Sequence, residues 1–383
     1  MGLVGTGHVA VTPELIETLG ARLARAASGA AEAGWDALIV TPGANLVYLI
    51  GYDAVPLERI TALVIPAQAD PFLIVPRLER LAALASPAGA LQIPVVTWDE
   101  HDDPYQLIAD RLGEPTHLAV DNDMTASKVL RLRDALPQVR LELAGPVLDG
   151  LRQVKDPWEI DALREAADAI DRVHARVGGL LRPGRTEAEV GADIAELILA
   201  EGHIRVDFII VASGPNAASP HHAVSDRVIA VGEPIVVDIG GTMPSGYRSD
   251  CTRTYCIGEP AEEFLRDYQL LQEAQERAVQ GVRPGATSGE IDGLARDHLG
   301  STAEYFIHRT GHGIGLLTHE EPYIMAGSDL PLQAGMAFSV EPGFYIESKW
   351  GARIEDIVVC TPDGVESLNR QSRDLHIVPS SAS

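Results

Sequence analysis

Residues 236–254 read VVDIGGTMPSGYRSDCTRT, and the reading of the whole chain grows from them. The β-branched run Ile235–Val237 ends in Asp238. A Gly-Gly pair and a Pro-Ser-Gly turn follow, and a second run from Tyr247 to Tyr255 carries Asp250. Two strand-like runs joined by turn chemistry predict a β-hairpin. A hairpin lays its strands side by side, so Asp238 and Asp250 should converge. Two buried carboxylates at close range repel each other unless a positive charge lies between them. A metal ion is the natural counter-charge, and its other ligands must come from elsewhere in the chain.

The composition narrows the field. With 383 residues, 46% of them apolar and 22% charged, the chain has the makeup of a globular protein of two or three domains. A formal charge of −25 argues against nucleic acid or an anionic membrane as the main partner. No apolar run approaches the roughly 20 residues of a membrane span. The opening MGLVGTGHVAVTPEL has no basic segment followed by an apolar one, so no signal peptide is expected. Cys251, Cys256 and Cys360 lack zinc spacing and suit a reducing, cytoplasmic setting.

Before residue 150 helical and strand patterns alternate. Helices are expected over Glu14–Ala33, Leu78–Ala85, Tyr105–Leu112 and Ala126–Leu136. Strands are expected at Trp35–Thr41, Leu63–Pro66, Phe72–Pro76, Pro94–Trp98 and His117–Asp121. This predicts an α/β domain over 1–150, in which His101-Asp102-Asp103 reads as a polar loop tip. The boundary is placed between Gly145 and Asp156. There Asp156-Pro157-Trp158-Glu159 opens a long amphipathic helix, starting a second domain over 151–383.

The second domain repeats itself. Residues 181–190 (LRPGRTEAEV) are echoed by 282–291 (VRPGATSGEI), each a turn followed by a Thr–Glu capping box. Val237-Asp238-Ile239-Gly240 is mirrored by Val340-Glu341-Pro342-Gly343, and Gly246–Asp250 by Gly351–Glu355. The pattern predicts two halves of helix, helix and acid-bearing hairpin, with four carboxylates meeting at a pseudo-two-fold seam. Four carboxylates call for about two divalent cations, with Mn²⁺, Co²⁺ or Zn²⁺ suited to oxygen-rich ligands. His312, between glycines in 310–315 (TGHGIG), is the candidate nitrogen ligand. Two ions ~3.5–4 Å apart can share a hydroxide that attacks a carbonyl carbon, so the reaction class is metal-assisted hydrolysis. His221-His222, His308 and His319 cluster near the same glycine turns. One of the His221/His222 pair should be peripheral, since neighbouring residues seldom point to one place, and His222 is taken as that one. Cys251 and Asp356 each follow a candidate ligand and should face the other way on their strands. Glu320-Glu321 reads either as a contact for a cationic N-terminus or as a solvated loop.

At this point the residues resemble a family. Residues 213–222 (SGPNAASPHH), 306–324 (FIHRTGHGIGLLTHEEPYI), 338–346 (FSVEPGFYI), 351–360 (GARIEDIVVC) and the opening stretch resemble, in order, the pita-bread metallopeptidases. These include Xaa-Pro dipeptidases (prolidases), Xaa-Pro aminopeptidases and methionine aminopeptidases. The first 150 residues look like the N-terminal domain of the prolidase, aminopeptidase P and creatinase branch, which points away from methionine aminopeptidases. The resemblance implies an α/β N-terminal domain, an α+β pita-bread C-terminal domain and two metal ions, most simply Mn²⁺. It implies Asp238, Asp250, His312, Glu341 and Glu355 as ligands, with Asp250 and Glu355 bridging. Glu341 would also handle the proton of the attacking water. His221 would steady the scissile carbonyl, and His319 would stand near the carbonyl and leaving nitrogen. His308 and Arg353 would support the site and contact substrate.

The resemblance departs in one place: Asp238 and Asp250 are one residue further apart than in the family, the extra residue falling in the Met243-Pro244-Ser245 turn. The expected activity is hydrolysis of Xaa-Pro bonds in small peptides by a homodimeric enzyme, as a dipeptidase, with an aminopeptidase acting on longer peptides as the alternative. A metal-free creatinase-like hydrolase and a non-catalytic binding protein are the more distant alternatives, because both branches lose ligands that this chain keeps.

Overall fold

The alternation before residue 150 becomes a six-stranded sheet. In the computed structural model, which describes residues 11–380, Thr12 caps helix α1 (Pro13–Glu32) by accepting from the Leu15 amide at 3.2 Å. There follow β1 (Ala37–Val40), α2 (Ala44–Ile50), β2 (Ala62–Pro66), β3 (Phe72–Pro76), α3 (Arg80–Ala85), α4 (Pro87–Ala90), β4 (Val95–Trp98), α5 (Pro104–Leu112), β5 (His117–Val120), α6 (Ala126–Ala135), β6 (Arg140–Leu143) and α7 (Gly145–Gln153). The sheet runs β4-β3-β2-β1-β5-β6 and is mixed: β1–β5, β5–β6 and β3–β4 are parallel, while β2 is antiparallel to both neighbours. Its core gathers Ile39, Val64, Ile74, Tyr105, Ile108, Leu118 and Leu132. The strand β6 and the helices α2, α4 and α7 were not read from the sequence. Two of the four residues of β6 are exposed, which removes the apolar signal. Asp103 caps α5, and the His101–Asp103 tip is a turn.

A second compact unit runs from Gln153, the first ending at Arg152. It opens with α8 (Pro157–Leu180), whose capping box pairs Asp156 with Glu159 as the sequence suggests. Next come α9 (Glu187–Ala200), β7 (Arg205–Ser213), β8 (Pro234–Thr242), β9 (Arg248–Ile257), α10 (Glu262–Gly281) and α11 (Ser288–Leu299). The chain continues through β10 (Gly311–Gly313), β11 (Glu320–Ile324), β12 (Ala337–Val340), β13 (Gly343–Ile346), β14 (Trp350–Arg353), β15 (Asp356–Thr361), β16 (Gly364–Ser367) and β17 (His376–Val378). One sheet is ordered β17-β9-β8-β7, another β11-β10-β12-β15-β16, and β13–β14 form a separate pair. Helices α8 and α9 bury Ile170, Val173, Val177, Val190 and Ile194 with Val237 and Ile239 of the first sheet. Helices α10 and α11 bury Phe264, Leu271, Ile291 and Ala295 with Phe338, Val340 and Val358 of the second. The capping boxes Thr186/Glu189 and Thr287/Glu290 both form.

The first hairpin forms as read. Strands β8 and β9 are antiparallel, joined by a turn in which the Met243 amide bonds the Tyr247 carbonyl and Gly246 takes φ +86°. The second hairpin differs from expectation. Instead of one continuous pair carrying an acid on each strand, it is split into β12–β15 and β13–β14, and Glu341 and Glu355 lie at the two breaks. Pro342 has no amide hydrogen and interrupts the ladder. The backbone amides of the two acids then pair outside the hairpin, Glu341 with the Thr310 carbonyl at 2.8 Å and Glu355 with the Thr252 carbonyl at 3.2 Å.

Candidate metal centre

Register places the first two acids. Asp238 lies opposite Thr252 and Asp250 opposite Gly240, so the alternation of β8 and β9 puts both carboxylates on one face. The bridge between Thr252 and Glu355 lays the second half against that face. His312 arrives on β10, where a Cβ at Gly311 would stand 1.8 Å from the Ser339 carbonyl oxygen and one at Gly313 2.2 Å from that of Glu321. Only glycines on either side let this strand pack so closely. Asp250, His312 and Glu355 each offer a ligand atom within 4.8 Å of the others, and all three are buried. Glu341 joins them, its Oε1 3.3 Å from His312 Nε2, and Asp250 Oδ2 is 3.7 Å from the same nitrogen.

The electrostatics of this cluster suit a cation. His312 Nδ1 donates to the Gly313 carbonyl at 3.1 Å, so Nε2 presents a bare lone pair to carboxylate oxygens. Burial holds His312 near pKa 3, with His319 adding to the effect, so the imidazole is neutral. Burial, with repulsion from Glu355, Asp238 and Glu341, pushes Asp250 well above the usual carboxylate range. Burial and the charges of Glu341 and Asp238 do the same to Glu355. Glu341 rises to about 7, again chiefly through burial. Asp238 Oδ1 and Glu355 Oε1 are buried without a hydrogen-bond partner. A neutral nitrogen lone pair, crowded carboxylates and unbonded buried oxygens together fit divalent ions well.

Arg353 fixes the edge of the cluster. Its guanidinium donates to Asp238 Oδ2 at 2.5 Å, Thr252 Oγ1 at 3.2 Å, the Tyr345 hydroxyl at 2.7 Å and the Pro220 carbonyl at 3.4 Å. Thr252 in turn donates to Glu355 Oε2 at 2.7 Å. His308 is half-buried. Its Nδ1 donates to the Arg309 carbonyl at 2.7 Å, which leaves Nε2 to accept from the Tyr345 hydroxyl at 2.8 Å. Burial, reinforced by Arg353, holds His308 near pKa 3. His319 is exposed and sets its ring edge-on to His312 with centroids 4.0 Å apart. Its basicity is lowered by burial of the ring and then by Arg309 and His221. His221 is exposed at the end of the 213–222 segment, next to Pro220.

The structure thus brings the named residues to one place, and it corrects the reading of Glu320. Glu320 is neither solvated nor free for a substrate amine: it is 5% exposed and paired with Lys155 Nζ at 2.8 Å. Asp356 and Cys251 turn away as expected, Asp356 to Arg253 at 2.7 Å and Cys251 into the core. Tyr345 and Thr252 were missed. Tyr345 stands four residues after Glu341 in the same motif, and Thr252 two after Asp250, so period-two spacing was the signal that would have found them.

Residues 161–362 match the metallopeptidase family M24, and residues 22–154 match the creatinase/prolidase N-terminal domain. The chain is 54% identical over 366 residues to the probable dipeptidase PepE of Mycobacterium tuberculosis, covering 95% of this chain and 97% of that one. It is 35% identical to an Xaa-Pro dipeptidase of Lactobacillus helveticus, covering 88% of this chain and 93% of the relative. The crystal structure of dipeptidase PepE from Mycobacterium ulcerans matches with a TM-score of 0.92 at 53% identity, covering 95% of this chain and 99% of that one. A buried Asp250, His312 and Glu355 group able to hold a metal ion, within a chain that matches both family domains, agrees with what those matches show: this protein is a member of metallopeptidase family M24 with a creatinase/prolidase N-terminal domain.

Proposed function

We propose that the chain is a dinuclear metal-dependent dipeptidase that hydrolyses Xaa-Pro bonds in small peptides. The observation that carries this reading is the convergence of Asp238, Asp250, His312, Glu341 and Glu355 beside His221, His308 and His319. The five donors would hold two divalent ions, Mn²⁺ being the first choice. When bound, such ions supply Lewis acidity and make a water nucleophilic at neutral pH. The chain's own residues supply the rest. Glu341 takes the proton of the attacking water and passes it toward the leaving nitrogen. His221 donates a hydrogen bond to the oxygen that becomes negative at the scissile carbonyl. His319 stands on the leaving-group side, and Arg353 keeps the Asp238 carboxylate aimed. A bond to proline is a tertiary amide without an N–H, so a site that works through the carbonyl and the nitrogen lone pair suits it.

Arg309 favours the dipeptidase over the aminopeptidase. It is exposed, its guanidinium lies 4.0 Å from the centre of the Tyr323 ring, and its charge is felt at His319, His312 and Glu341. Among the described residues it has no carboxylate partner. A free cation at this place suits the terminal carboxylate of a two-residue substrate. The buried free thiols of Cys251, Cys256 and Cys360 suit the cytoplasm, and the reading carries a homodimer with it. The test is hydrolysis of Xaa-Pro against Xaa-Pro-Xaa peptides, metal by metal, with Asp250→Ala and Glu355→Ala as controls. The dipeptide should be cleaved faster, and each control should lose bound metal and activity together. Cleavage of neither peptide under any metal would defeat the reading, and faster cleavage of the tripeptide would favour the aminopeptidase.

A further inference from the structure

Glu187 is a carboxylate with no part in the metal cluster, and it is 0% exposed. Such burial is costly unless every lone pair is used. Here the donors are the Ser213 amide at 2.7 Å, Ser213 Oγ at 2.8 Å, Asn216 Nδ2 at 3.1 Å, Ser225 Oγ at 2.6 Å and His222 Nε2 at 3.0 Å. Burial raises its pKa, but the bonds from Ser225, Ser213 and Asn216 outweigh this and hold it below the usual range. Every donor lies between residues 213 and 225, the segment that presents His221.

We propose that Glu187 is a positioning residue for His221, clamping the 213–225 segment so that His221 faces the scissile carbonyl. Both neighbours of His221 are tied down. The Pro220 carbonyl accepts from Arg353, which holds Asp238, and His222 bonds Glu187. His222 is therefore one of the two anchors of its neighbour. The helix start does not explain the glutamate. Thr186 and Thr287 cap their helices in the same way, yet the residue after Thr287 is Ser288, whose hydroxyl donates to the Leu330 carbonyl at 3.5 Å and gathers no such set of donors among the described residues. The carboxylate serves the segment.

This inference rests on the role of His221 proposed above, and a double-mutant cycle tests it. With Xaa-Pro dipeptide as substrate, Glu187→Gln should lower kcat on the order of 10–100-fold with little change in KM or bound metal. In a His221→Ala background the same substitution should change kcat by less than about twofold. Ring signals of ¹⁵N-labelled His221 should shift or broaden in Glu187→Gln without any turnover being needed, so the clamp is readable even where the peptidase assignment fails. Equal losses of kcat in both backgrounds overturn the proposal, and so do unchanged His221 signals. Where Glu187→Gln does not fold, Ser225→Ala removes one donor from the partly exposed rim and is read in the same cycle.

Discussion

At the scale of single residues, arginine geometry does what charge alone does not. Arg353 uses its planar fork on Asp238, Thr252, Tyr345 and Pro220 at once, and no ammonium reaches all four. Arg353→Lys should keep the charge yet lower kcat/KM roughly 10–100-fold, with metal affinity falling in parallel, as titration with Mn²⁺ would show. Arg309→Met should lower kcat/KM for Xaa-Pro by about 10–100-fold and leave Xaa-Pro amide untouched, the size expected for one charge-assisted hydrogen bond. Equal losses on acid and amide would remove Arg309 from carboxylate recognition.

At the scale of elements, what was legible is what is local. The capping boxes of α9 and α11 and the β8–β9 turn are written within a few consecutive residues, so pattern found them. The split of the second hairpin was not legible, because the amides of Glu341 and Glu355 pair with Thr310 and Thr252, far away in sequence. The Lys155–Glu320 pair escaped for the same reason. The acids that converge at the cluster could be picked out despite being distant, because each is embedded in its own β-branched or glycine-rich run. Thr287→Ala should lower stability by about 1 kcal/mol without changing kcat, a separation that thermal melts and steady-state rates would show. The Met243–Tyr247 turn sits at the hairpin tip, closed by its own backbone bonds, and leaves Asp238 and Asp250 on one face.

At the scale of the whole molecule, the cluster couples folding to metal and pH. Glu341 is held at about 7 in the cation-free fold against an ordinary 4.5, so it is a group whose folded pKa is raised. Its contribution is full below about pH 4.5 and is lost as pH rises through about 7. Stripped protein should therefore lose stability relative to protein loaded with Mn²⁺ as pH climbs from 5 to 8, because the neutral histidines His174, His308 and His312 act alike on both. The gap in Tm between the two should widen with pH, and a constant gap would contradict the electrostatic account. Among the described residues no helix is long and apolar enough to cross a membrane.

The order of strands β17-β9-β8-β7 has a consequence for synthesis. The strand carrying Asp250 is sealed on its outer side by His376–Val378, which pairs with Tyr255–Ile257 in parallel. A ribosome finishes β8 and β9 long before it reaches that partner. Until then Tyr255, Cys256 and Ile257 present an open, apolar edge, a template for pairing with another chain. Prematurely terminated chains ending between residues 260 and 375 should accordingly be the sticky ones, and a chaperone's interest in this protein should end when the last strand docks.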